Sequence, residues 1–463
     1  MAALDGGPRR RRRAALPRRA GPAMTAAALA QRLVHRVLPL ALVIALVATL
    51  HATASGLADA RSQSPTLALG LLLVGGFIGG KASAALGLPR ITGYLLTGVI
   101  VGPHLAGLLT SDMLSAAKAV EGVAVALIAL TAGGELRVAW IRQHAGRLAL
   151  ITATELLTVA TVVTAAVFVG RAAFPFIPAD LATAAVIAMV IGAIAVANSP
   201  TVTIAVIAET RSDGPLARTV LGVTILKDVT VIILFAVALV VAKDALGQGD
   251  GASLGATLLR EIGGSAAAGV AFGIGVELFL RFVGRDVPVF VLAVCLAMWQ
   301  VSTALHLETL LVALTAGFWV ENLGRARGEA LIKGIERVSL PVYALFFAAA
   351  GTKVDLGALE ALWPLVLLLS GARGVAIWAG TRLGTRLARA EPVVRRYLWL
   401  GFISQAGVTL ALAGIVARTF PDWGSQVQAL MVAMIAIHEL LGPIGFQWAL
   451  ARAGEIGRGA GGH

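Results

Sequence analysis

Cysteine is almost missing from this sequence: Cys295 is the only one in 463 residues. It lies in an apolar run, so a disulfide framework and a multi-cysteine metal site are both excluded. The residue reads as a small core side chain. Charge is scarce too. Only 14% of residues are Asp, Glu, Lys or Arg, where a soluble domain carries about 25%. Two chemistry-bearing motifs are present only in part. Gly75-Gly76-Phe77-Ile78-Gly79-Gly80-Lys81 has the spacing of a phosphate-binding loop, but Ala82 stands where the magnesium-binding hydroxyl belongs. The glycines are better read as a close helix-packing surface. His438-Glu439 begins a zinc motif, but position 442 is Gly, so the second ligand is lacking and a supporting polar role remains.

Hydrocarbon fills the space that charge leaves. The chain is 58% hydrophobic, with a mean hydropathy of +0.87. Apolar runs fall near 66–86, 90–108, 116–133, 147–170, 181–208, 217–242, 256–283, 288–303, 305–320, 335–352, 361–388, 397–418 and 427–450. A helix of about 17–25 apolar residues spans a bilayer. The expected fold is therefore an all-α polytopic membrane protein of thirteen transmembrane helices. Residues 1–37 form a basic, disordered arm with Arg9 to Arg13, Arg18, Arg19, Arg32 and Arg36, and Met24 is an alternative start. Residues 38–57 are either a further helix or a signal peptide, since Ala52-Thr53-Ala54 has the small-x-small cleavage pattern. Trp299, Trp319, Trp363 and Trp399 sit near run ends, as an interfacial belt requires, and Glu277 reads as structural.

A net charge of +13 would suggest nucleic acid in a soluble chain; here it follows from topology. With the arm inside and the runs alternating, twenty Lys and Arg beyond the arm fall at inside ends and seven at outside ends, Lys118 and Lys353 among the seven. That is the positive-inside asymmetry. Lys227 and Arg373 fall near the middle of a run instead.

Asp228 also lies in mid-span, and Asn198-Ser199-Pro200-Thr201 interrupts the run before it. A charge at that depth costs about 2.5–3.5 kcal/mol on insertion scales, so an intramembrane Asp marks an ion or proton site. Lys227 is the neighbour that allows a structural ion pair instead. Burial favours the neutral form of Asp228, while Lys227 and Arg373 favour the carboxylate. Glu155, within a span, could balance Arg373. The breaks recur. Residues 147–242 enter from the inside and 361–450 from the outside, each with a middle run interrupted, at Pro200 in one and at Ser404-Gln405-Ala406-Gly407 in the other. Pro disrupts the preceding turn and Gly407 weakens a helix interior. Paired inverted triplets with broken helices are the layout of secondary transporters that bind at the midplane.

Several segments together resemble the monovalent cation:proton antiporters. They are Gly93-Tyr94-Leu95-Leu96-Thr97-Gly98-Val99-Ile100-Val101-Gly102-Pro103, Thr131-Ala132-Gly133-Gly134-Glu135-Leu136, Asn198-Ser199-Pro200, Gly401 to Gly407 and Glu439-Leu440-Leu441-Gly442-Pro443, in collinear order. The resemblance implies the 13-helix bacterial type without a C-terminal regulatory domain, in the inner membrane, as a homodimer. It implies a dimerising scaffold at 66–133 and 288–352, a linking helix at 256–283 and a mobile core at 147–242 and 361–450. It makes Asp228 the carrier, with Asn198, Ser199 and Thr201 as further cation ligands and Arg373 as the late basic residue. No cofactor, resident metal or nucleic acid is implied; the partners are a proton, Na⁺ or K⁺, and the bilayer. The departure is Lys227, where relatives carry Asp, Asn or Gln, and Val223 stands where electroneutral members have an acid. One carboxylate exchanging one proton for one cation moves no net charge, so electroneutral exchange is expected. Two other uses of the same residues stay open: a sodium-coupled organic-anion symporter with Lys227 and Arg373 as the anion site, and a membrane sensor without transport.

Overall fold

A computed structural model describes residues 65–458, apart from 111–112, 136–137, 248–251, 325–327 and 355. The arm at 1–37 and the hydrophobic segment at 38–57 lie outside the described residues. Everything regular is helical, with no strand among the described residues: α1 Pro65–Ala85, α2 Arg90–Val101, α3 Ala117–Glu135, α4 Val138–Val169, α5 Leu181–Ala195, α6 Pro200–Thr210, α7 Pro215–Ala245, α8 Ala252–Phe282, α9 Val287–Leu305, α10 Thr309–Asn322, α11 Gly328–Thr352, α12 Leu356–Leu387, α13 Pro392–Tyr397, α14 Gly407–Thr419 and α15 Gly424–Ala453. A 3₁₀ turn, Leu398–Phe402, continues α13.

Each apolar run falls on a helix or a helix pair. Among the described residues eight segments are long and apolar enough to cross a membrane, and α13 with α14, bent by 46°, makes a ninth. Four runs fall on helices that are shorter or less apolar: α2, α3, α10 and α11. Side chains such as Leu157, Val237, Leu367 and Val375 are exposed on the outer helices. An apolar surface of that extent suits lipid rather than water. The segment Leu181–Thr210 is the opposite case, with 72% of its apolar window buried, which puts the first break at the centre of the molecule.

Packing sorts the helices into two groups. In one, α3 packs on α9, α10 and α11, α2 lies between α1 and α11, and α8 lies along α10. The glycine run of α1 meets α2 there: Gly79 lies on the Gly93 backbone and Gly80 against the Tyr94 ring, where a Cβ would collide. In the other group, α4 packs on α12, α5 on α4 and α7, and α15 on α12 and α14.

The second group contains both triplets, and they run in opposite directions. Along α4 and α12, Gly384 meets Ile151, Gly380 meets Glu155 and Gly170 approaches Leu368. The start of α7 meets the end of α15, where the Glu455 carboxylate accepts from the amides of Leu216 (2.7 Å) and Ala217 (2.8 Å). Those amides are the unpaired donors of a helix N-terminus, which an acidic side chain satisfies. At α5 the same task falls to Asp180, whose Oδ2 accepts from the Thr183 amide at 2.8 Å. That bond holds the Asp180 carboxyl below its ordinary range.

Candidate functional site

The site is built from the two breaks. Helix α5 ends at Ala195 and α6 restarts at Pro200, which needs no amide donor at the first helical position. Ser199 caps α6, its Oγ accepting from the Val202 amide at 3.3 Å. The second break lies between Phe402 and Gly407. The two cross: the Ser199 amide donates to the Ser404 carbonyl at 2.8 Å, and Thr203 Oγ1 donates to the Gly401 carbonyl at 3.2 Å.

Each break leaves carbonyls without helical partners, and such groups are expensive away from water. Arg373, on α12 and 1% exposed, supplies the donors. Its Nε donates to Ala195 O (2.8 Å), Nη1 to Ile403 O (2.8 Å), and Nη2 to Ala197 O (2.9 Å) and Phe402 O (3.1 Å). One guanidinium thus ties together the C-terminal ends of both half-helices, where the helix dipole is negative. Gln405 adds a bond from Nε2 to Ala197 O at 3.3 Å, and its Oε1 lies 2.7 Å from His438 Nδ1.

Lys227 is partnered differently. Its Nζ donates to Glu155 Oε1 at 2.8 Å, both side chains are 0% exposed, and the ammonium lies over the Phe402 ring at 5.1 Å. Glu155 therefore balances Lys227 by direct contact, and Arg373 is occupied by carbonyls. Successive helical residues point about 100° apart. Asp228 accordingly faces elsewhere, into a cavity of about 800 Å³ between the two helix groups, and its Oδ2 has no hydrogen-bond partner. Ser199, Pro200 and Thr201 at the start of α6, and Ala406 and Gly407 at the start of α14, line the same cavity. Ser199 Oγ and Thr201 Oγ1 are 3.0 Å apart. Asn198 is buried beside them, outside the cavity lining, with Nδ2 3.5 Å from Thr224 Oγ1 and Oδ1 unpartnered.

The cavity is also lined by residues that the sequence alone does not place at the site. Glu308, at the start of α10, lines the cavity, and its charge acts on Asp228. Lys118, Glu121, Lys353 and Glu439 line it as well, with Lys353 Nζ 2.6 Å from Glu121 Oε2. Trp299 is a correction to the interfacial reading: it lines the cavity and its ring covers Gly122. Glu277 accepts from Trp319 Nε1 at 3.2 Å, a structural contact. Among the described residues no cluster of three or more His, Cys, Asp or Glu could hold a metal ion. Below the cavity the groups meet again. Glu209, near the C-terminal end of α6, accepts from the amides of Arg90 (2.6 Å) and Ile91 (3.4 Å) at the start of α2.

Comparison with known proteins bears on the family and the fold. The family model for the transmembrane sodium/hydrogen exchanger matches residues 67–452. A curated relative, the Na(+)/H(+) antiporter NhaP of Pseudomonas aeruginosa, is 28% identical over 236 residues, which is 42% of this chain; the match spans 55% of the relative's length. Two structures of the sodium proton antiporter MjNhaP1 from Methanocaldococcus jannaschii share the fold at 18% identity. One, at pH 8, has a TM-score of 0.59 and covers 84% of this chain and 97% of its own. An electron-microscopy map has a TM-score of 0.63 and covers 83% and 95%.

Proposed function

The chain belongs to the sodium/hydrogen exchanger family, a family of multi-pass membrane transporters and not of enzymes, and from that premise we propose that it exchanges protons for Na⁺ or K⁺ by alternating access at Asp228. The observation that carries the reading is the Asp228 carboxylate, whose Oδ2 is unpartnered in a cavity where two half-helix N-termini meet. A carboxylate in that position holds either a proton or a cation, and the Ser199 and Thr201 oxygens extend its ligand set. Asn198, with a spare Oδ1, joins them if its side chain turns toward the cavity.

The fixed charges around Asp228 are already balanced. Lys227 is neutralised by Glu155, and Arg373 faces four carbonyls. Only Asp228 changes its load, so the proton-bound and cation-bound cores carry the same charge and exchange is electroneutral. The same pairings weaken the organic-anion alternative, because both of its cations are engaged internally.

The moving parts follow the packing groups. Residues 147–242 and 361–450 form the mobile core; residues 66–133 and 288–352 form the scaffold through which two copies dimerise, with 256–283 as the link. Lys118 and Lys353, on the outside by the charge count, mark the cavity mouth, so this conformation faces outward. Helix α6 has 11 residues. At 1.5 Å per residue it is about 16 Å long, and Glu209 bound to the start of α2 closes its inner end. We place the protein in a bacterial inner membrane, with a part in pH homeostasis.

The test is proton flux in proteoliposomes, driven by Na⁺ and by K⁺ in turn, at zero and at inside-negative voltage. One net charge per cycle would couple about 2.3 kcal/mol for each 100 mV. Exchange that is independent of voltage and lost in Asp228→Asn is expected. Retained exchange in Asp228→Asn removes Asp228 from the mechanism. A voltage dependence that disappears in Lys227→Ala makes Lys227 a second proton carrier.

A further inference from the structure

Glu439 is a buried titratable group in the cavity that this mechanism leaves unused. It lies on α15, is 5% exposed and lines the cavity that Asp228 lines. Among the described residues its carboxylate has no hydrogen bond or ion pair. Its sequence neighbour His438 is turned to Gln405. The charges that act on it are Lys353 from α11 and Glu121 from α3, and these two are already paired at 2.6 Å. Lys118 of α3, Glu308 of α10 and Asp228 of α7 line the same space, and Arg373 of α12 is occupied by carbonyls. A structural carboxylate at this depth would have a partner, because an unpaired buried charge is among the costliest features a membrane helix can carry. Glu439 faces the cavity instead.

We propose that Glu439 is a loading site for the transported cation, standing between the cavity mouth and Asp228. A monovalent cation entering past the Glu121–Lys353 pair takes the place of a proton on Glu439, and that proton leaves through the mouth. The cation then passes to Asp228, and the proton it displaces there returns to Glu439. One cation has been bound and one proton released, so one-for-one exchange is preserved. Neither Glu439 nor Asp228 stands as a bare carboxylate before the cation arrives, and the cation is never without a counter-charge on its way in. The ligand chemistry is that of a hard monovalent cation: one carboxylate here, with hydroxyl oxygens at the floor. The inference rests on the reading of Asp228 as the carrier.

The test measures proton release and transport separately. Purified protein in weakly buffered detergent solution receives NaCl, KCl or, as a blank, choline chloride, and a pH indicator reports released protons. Asp228→Asn is expected still to release protons on addition of Na⁺ or K⁺, and Asp228→Asn/Glu439→Gln to release none. In proteoliposomes Glu439→Gln should raise the cation KM about tenfold, equivalent to about 1.4 kcal/mol, with a smaller effect on the maximal rate. Glu439→Asp, which keeps the charge on a shorter stem, should fall between the two and decides the matter if the glutamine variant does not fold. An Asp228→Asn protein that releases nothing, or Glu439 variants with the wild-type KM, would overturn the loading site. A wild-type protein that exchanges neither cation would sink the proposed function instead, and the proton-release result would still be read on its own.

Discussion

Replacing Glu155 by Gln strips the counter-charge from Lys227 while keeping the side chain's shape. Both groups are 0% exposed and 2.8 Å apart, so no water can take over when the carboxylate goes. Breaking such a pair from one side costs about 3–5 kcal/mol, because it leaves an uncompensated buried ion. Removing both charges together is different: a buried pair replaced by apolar residues of similar volume is commonly neutral or better. Lys227→Met alone should therefore be milder than Glu155→Gln. The carboxylate left behind still has the Arg373 guanidinium as an opposite charge, whereas for a lone Lys227 ammonium Arg373 is a like charge.

The measurement is a double-mutant cycle on unfolding in detergent, with Glu155→Gln, Lys227→Met and the two combined. Glu155→Gln should be the least stable by about 3–5 kcal/mol, and the combination should recover most of that loss. A Glu155→Gln protein within about 1 kcal/mol of wild type, the scale of an exposed pair, would refute the reasoning. So would a double mutant no better than the single one. Either result would mean that the ammonium reaches another counter-charge or water, and that Lys227 is not a fixed element of the core.

Two further changes probe the frame around Asp228. Pro200→Ala should leave the break in place at a cost under about 1 kcal/mol, since the Ser199 cap, the Ser199–Ser404 crossing and Arg373 all hold it; a raised thermal midpoint with loss of transport would show that Pro200 itself keeps the helix open. Glu209→Gln should loosen the inner contact with α2 by about 1 kcal/mol, the scale of a charge at a helix N-terminus, and speed amide exchange at residues 90–93 about fivefold. Unchanged exchange there would mean that Glu209 does not hold the inner end shut.

The breaks, Asp228 and Arg373 were legible in the sequence because each violates an apolar run. A proline, a polar tetrad or a charge stands out wherever hydrocarbon is the rule. Partnership was not legible. Glu155 and Lys227 are 72 positions apart, and two charges in two spans are equally free to meet each other or a third until the helices are packed. The charge of Glu155 acts on Arg373 as the sequence suggests, but its direct partner is Lys227, and four orphaned carbonyls take the guanidinium's hydrogen bonds. Glu308 and Trp299 failed for another reason. Both sit at the ends of runs, where polar and aromatic residues are ordinary, and only the packing of α9 and α10 on their neighbours turns them to the cavity.

If Asp228 is the carrier, the division of labour between Arg373 and Asp228 would let a core stay rigid and still carry a changing load. If the half-helix C-termini were satisfied by the transported ion, the crossing would loosen at every release. A permanent guanidinium removes that dependence, because it is never deprotonated at ordinary pH. The N-terminal ends, at Ser199 and at Ala406-Gly407, are left facing the cavity with their dipoles positive toward it. Those ends favour the Asp228 carboxylate and disfavour a bare cation, so a cation is held only together with the carboxylate that offsets them. In the proposed mechanism, proton and cation thus compete for one group in one place. Under the same proposal, movement of the core with Asp228 loaded by neither would bring an unpaired carboxylate against the apolar face of the scaffold, and that cost would couple the two fluxes.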